Sequence, residues 1–118
     1  MAVTKDELAA NLKSVTWGEL ERRVQAAIRV LTRDDPEWIE MFDLSRFDLQ
    51  SHYTCPLGQT YGSYNQGLDH FGWEPEDAEH HGLFVTDLLA ASRTPDKDAQ
   101  YAALDFIWRE QIAALQND

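Results

Sequence analysis

The four histidines and one cysteine of this 118-residue sequence, His52, Cys55, His70, His80 and His81, are of types that hold metal ions or act as nucleophiles. His52-x-x-Cys55 has the spacing of a zinc-ligand pair, and His80-His81, with His70 nearby, would complete a four-ligand site. A zinc site of this kind needs a second compact pair, and adjacent histidines rarely both point at one ion. His52, Cys55, His80 and His81 therefore stay candidates to which no metal or other cofactor is assigned. The simpler reading makes Cys55 a small buried hydrophobe at a helix start, with the histidines solvated on an acidic turn. As a nucleophile, Cys55 would gain from a helix N-terminus and from His52 as base. Pro56 removes one amide donor there, however, and the acidic surroundings raise a thiol pKa. No catalytic residue is assigned, and a non-enzymatic protein is expected.

Paired carboxylates occur at Asp34/Asp35 and at Glu74/Glu76/Asp77/Glu79, in principle enough for acid–base work. They flank prolines at helix starts, where they complement a helix dipole as surface charge. Asp69, Glu74, Glu76, Asp77 and Glu79 are read as an acidic surface. Gly58-x-x-x-Gly62 lacks the preceding strand and the lysine of a phosphate loop. Close helix contact through small residues accounts for it better.

Leu57, Tyr61, Tyr64, Leu68 and Phe71 recur at the spacing of one helical face. Gly58, Gly62 and Gly67 lie among them, each costing a helix interior about 1 kcal/mol. A glycine-bearing helix over 56–71 is expected, capped by left-handed Gly72. Its residues Leu57, Gly58, Tyr61, Gly62, Tyr64, Gly67 and Leu68 would pack closely against another helix of this chain or against a partner, the internal contact being favoured.

The other elements follow from similar signals. Thr4-x-x-Glu7 and Thr16-x-x-Glu19 fit the capping box. The prolines of Asp35-Pro36, Cys55-Pro56, Glu74-Pro75 and Thr94-Pro95 sit where first helical turns would begin. Helices are predicted over 5–14, 17–32, 36–42, 56–71 and 96–116, with a brief acidic turn at 75–81. The second buries Trp17, Leu20, Val24, Ala27, Ile28 and Leu31 and turns Arg22, Arg23 and Arg29 outward. The last runs through Tyr101, Leu104, Trp108, Ile112 and Leu115. Alternation at 46–49 and a short apolar run at 82–85 suggest a two-stranded β ribbon. The expected fold is mainly α: a compact single-domain bundle of about five helices over 1–118, with 1–15 as a peripheral N-terminal helix.

The formal charge is −11, and residues 34–92 hold twelve acids against Arg46 alone. Direct nucleic-acid binding, which needs cations facing phosphates, is not expected. A basic protein partner or simple solubility fits. The sequence contains no apolar run long enough to cross a membrane. It has no apolar leader, and its single cysteine points to a reducing cytoplasm.

The stretch Cys55-Pro56-Leu57-Gly58-Gln59, with Gly62-Ser63-Tyr64 and Gly67-Leu68, resembles a motif of small proteins of actinobacteria and their phages, mycobacteriophages included. Gly82-Leu83-Phe84, Tyr101-Ala102-Ala103-Leu104 and Trp108-Arg109 are similar too. The resemblance spans roughly 38–112, leaving the first helix and the four histidines as additions. Most members of that group have no assigned chemistry. The resemblance implies a phage-type protein in the cytoplasm of a bacterial host, where binding a host protein is the favoured role. The alternatives are an acidic DNA mimic that blocks a nucleic-acid-binding protein, a small Cys/His metal protein, or a homo-oligomeric assembly factor. The acids cluster at turns rather than along one face, which disfavours the mimic.

Overall fold

Two threonines open the first two helices as their spacing predicts. Thr4 Oγ1 accepts the Glu7 amide at the start of α1 (Lys5–Ala10), and Thr16 Oγ1 accepts the Glu19 amide at the start of α2 (Trp17–Asp34). The computed structural model describes residues 3–85 and 96–117. Pro95 and the helix start expected there lie outside the described residues. Further along come α3 (Trp38–Met41), a 3-10 turn at Leu44–Arg46, α4 (Pro56–Tyr61), α5 (Tyr64–Phe71), α6 (Pro75–His80) and α7 (Lys97–Gln116). The fold is mainly helical.

Three expectations need correction. The ribbon does not form: Leu44–Arg46 is a 3-10 turn, and no strand occurs among the described residues. Gly82 instead ends α6 with φ +66°, and the Leu83 amide reaches back to the Ala78 carbonyl. That is a left-handed helix stop, which only glycine adopts without strain. Next, 56–71 is not one helix. Gly62 has φ +103°, and Ser63 Oγ accepts the Gln66 amide to begin α5. Gly62 is therefore a hinge between two short helices, not a small residue on a continuous face. Finally, the described residues form seven helices rather than about five, because of this split and because α6 is a genuine helix.

The two halves of the former helix fold back on each other. Gly67 lies where an added Cβ would come within 2.7 Å of Leu57 Cβ, so α4 and α5 touch at that point. The Tyr64 amide donates to the His52 carbonyl at 2.6 Å, pinning the hairpin to the preceding loop. Gly72 closes α5 in the left-handed conformation (φ 69°, ψ 32°), as its position after Phe71 predicts.

The core is built on α2 and α7. Leu20, Val24, Ala27 and Leu31 of α2 are buried, as are Ala103, Leu104, Ile107, Trp108 and Ile112 of α7. Trp38 and Phe42 stack edge-on at 5.9 Å, Phe47 follows at 5.8 Å, and Leu49, the cap residue Cys55 and Leu57 of α4 complete the same cluster.

One buried carboxylate ties the N-terminal arm to α7. Asp96, 4% exposed, accepts the Lys13 and Ser14 amides at 2.6 and 2.8 Å, the Ser14 hydroxyl at 2.7 Å and the Gln100 amide group at 3.1 Å. Burial alone would raise its pKa, but the donors from Ser14, Lys13 and Gln100 together hold it far below the usual carboxylate range. A depressed folded value means that its stabilisation is complete above the unfolded value of about 4 and is lost as pH falls below it. Asp96→Asn should cost about 2 kcal/mol at pH 7. In urea melts, the gap between the two proteins should close as pH is lowered from 5 towards 2. A gap that stays constant would show that the charge contributes nothing.

Candidate functional site

The structure scatters the side chains that the sequence marks for metal or nucleophilic chemistry. Among the described residues, no group of three or more His, Cys, Asp or Glu is placed to hold a metal ion. His52 is exposed and meets Tyr64 edge-on at 5.7 Å. Cys55 is buried, and its Sγ accepts the Gly58 amide at 3.3 Å as the cap of α4. Desolvation pushes its thiol pKa up, opposite to what a nucleophile needs. His80 is exposed at the end of α6. His81 stacks on Trp73 at 4.1 Å and donates from Nδ1 to the Asp77 carbonyl at 2.6 Å, which fixes that nitrogen as protonated.

Asp34 joins two of the other candidates. Tyr61 donates to its Oδ2 at 2.7 Å, His70 Nε2 lies 3.0 Å from both its oxygens, and the Tyr61 and His70 rings stack at 4.7 Å. The His70 and Tyr61 hydrogen bonds lower the Asp34 pKa. Desolvation, then Asp34 itself, raises that of Tyr61. Tyr64 is pushed up to about 12, chiefly by burial. This exposed cluster clamps the C-terminal end of α2 to the α4–α5 hairpin.

The packing residues divide by role. Leu57, Gly58 and Gly67 are buried inside the hairpin, Tyr61, Tyr64 and Leu68 are half-buried on the core, and Gly62 is an exposed turn. Of the acidic set, Asp69, Glu74 and Glu76 are exposed, while Asp77 and Glu79 are half-buried. Asp77 Oδ2 accepts the Glu74 amide, closing the first turn of α6. On α2, Glu19 engages Arg22 and Arg23 at 2.6 and 3.2 Å, leaving Arg29 exposed.

The larger concave feature lies elsewhere. A groove of about 870 Å³ has α7 as its floor, with Val3 and Leu8 on one side and Leu44 and Leu49 on the other. From α7 it takes Asp98, Tyr101, Ala102, Asp105, Phe106, Arg109, Glu110 and Ala113, positions that recur every three or four residues. These form a single helical face beside the core-facing one. Val3 is 52% exposed at the rim. Phe106 is held edge-on at 5.7 Å by Trp17, over which Lys5 Nζ sits at 5.5 Å. Arg109 is locked in place: it pairs with Asp105 at 2.8 Å, donates to the Phe47 carbonyl at 2.7 Å and lies over the Phe47 ring.

The sequence reading placed Tyr101 on the core stripe and passed over Ala102, Phe106 and Ala113. The available signal was the apolar character of α7 on more than one side, at spacings outside the Leu104–Trp108–Ile112 stripe. A helix apolar on two faces needs two neighbours.

Comparison with protein-family models, with curated proteins and with solved structures finds no match.

Proposed function

We propose that this protein is a non-enzymatic protein-binding factor that seats a segment of a partner in the α7 groove. The observation that carries this reading is the second face of α7, where Tyr101, Ala102, Phe106 and Ala113 form an apolar strip between charged residues, with Ala102 exposed and Phe106 half-buried on an open floor. A concave, partly apolar surface with a few convergent polar groups is the default place for a binding site. The buried, capped Cys55 and the scattered histidines favour binding over catalysis. The net charge of −11 disfavours nucleic acid as the partner and favours protein. No helix among the described residues is long and apolar enough to cross a membrane. The resemblance to small actinobacterial and phage proteins supports a partner in the cytoplasm of a bacterial host.

The test is affinity capture from an actinobacterial lysate with the wild-type chain and with Ala102→Arg. Arginine is a good helix former, so this exposed change should keep α7 and block only its floor. A protein retained by the wild type and lost from the variant is the expected result. No specific capture, or identical capture by both chains, would count against the groove as the docking surface.

A further inference from the structure

We infer that the groove accepts a basic amphipathic helix of about four turns; this rests on the docking reading above. Length is the first argument. From Asp98 to Ala113 the floor extends 15 residues along α7, roughly 22 Å at 1.5 Å per residue, which matches about four turns of a partner helix. Tyr101, Ala102, Phe106 and Ala113 run along that floor, a strip against which a helix can set anchors at i, i+3, i+4 and i+7.

Charge decides the sign of the occupant. Asp48, Asp98 and Glu110 lie along the groove, and none has an ion-pair partner among the described residues. The one cation of the lining among the described residues, Arg109, is already committed to Asp105 and to the Phe47 carbonyl. An acidic helix would bring like charges against three carboxylates, whereas Lys or Arg flanking an apolar stripe would meet them. The overall negative field adds steering towards a basic segment.

A second copy of this chain is the less suitable occupant. Its cationic element is α2, where Arg22, Arg29 and Arg33 are exposed but Leu20, Val24, Ala27 and Leu31 are buried in the core. That surface offers charge without anchors.

Fluorescence anisotropy with the full chain tests the inference, using three labelled 15-residue peptides. These are a Lys/Leu helix with leucines at helical spacing, a scramble of the same composition, and a Glu/Leu counterpart. The Lys/Leu helix should bind at least about tenfold tighter than either control, a difference of about 1.4 kcal/mol. Ala102→Arg should weaken it by a similar factor. The double variant Asp98→Lys, Glu110→Lys should weaken it and flatten its salt dependence. Equal binding of the scramble overturns the inference, because bulk charge then suffices. Preference for the Glu/Leu helix also overturns it while leaving groove docking intact. Dimerisation of the wild type abolished by Ala102→Arg, seen by sedimentation, would replace the basic helix with a second copy. If no peptide binds and Ala102→Arg also leaves the lysate capture unchanged, the docking reading falls with it.

Discussion

Gly58→Ala should destabilise the fold by about 3 kcal/mol, although alanine is the better helix former. Propensity alone would favour the change by about 1 kcal/mol. A Cβ at position 58, however, would lie 2.5 Å from the Tyr53 carbonyl carbon and 2.6 Å from the His52 oxygen. Both are backbone atoms, which cannot swing aside as a side chain does. The His52 oxygen is also held by the Tyr64 amide at 2.6 Å, so retreat of this loop would break its bond to the α4–α5 hairpin. Overpacking wins, and urea denaturation should show a lower midpoint with an unchanged slope. A midpoint at or above that of wild type would remove the close-approach explanation of this glycine.

The second large effect is expected at Trp108. Its ring is fully buried, and Nε1 donates to the Gly82 carbonyl at 2.8 Å, linking the middle of α7 to the stop of α6. Gly82 is wedged at that point: an added Cβ would meet Val24 Cγ2 at 2.9 Å and Leu104 Cδ2 at 3.3 Å. Trp108→Ala removes a large ring and leaves a buried carbonyl unpaired, at a cost of about 4 kcal/mol. For a chain whose total stability is on the order of 10 kcal/mol, that is a large share. Thermal melts should show a drop of roughly 15 °C. Trp108→Phe keeps most of the packing and isolates the hydrogen bond, so it should lose about half as much. If the Ala and Phe variants melt together, the ring volume is not what matters here.

Much of the helical layout was legible because it depends on local chemistry. The Thr4 and Thr16 caps, Pro56 and Pro75 at first turns and the left-handed Gly72 all act within four residues of their own position. The α2 stripe was readable because a single core determines its spacing. The break at Gly62 was not, since a helical period continues numerically across two helices of similar face. Only tertiary pairing of Leu57 with Gly67 decides that the chain turns there. The ribbon failed for a related reason: alternation over four residues also fits a 3-10 turn followed by extended chain at Phe47. Gly82 was read as the start of a strand when it is the end of a helix. The groove escaped because it depends on which elements flank α7, and its lining joins residues nearly a hundred positions apart, such as Val3 and Tyr101.

The Asp96 contact to Lys13 and Ser14 joins points separated by 83 and 82 residues. Closing so long a loop delays docking until most of the chain is already in place. The short α1 buries none of its residues fully, so this carboxylate, the Lys5–Trp17 contact and the half-buried Leu12 and Val15 that follow the helix together retain it. One wall of the groove is therefore tied to α7 partly through a charge. Protonating one carboxylate therefore loosens a wall of the cleft as well as the fold, and a guest that grips both walls would oppose that loosening.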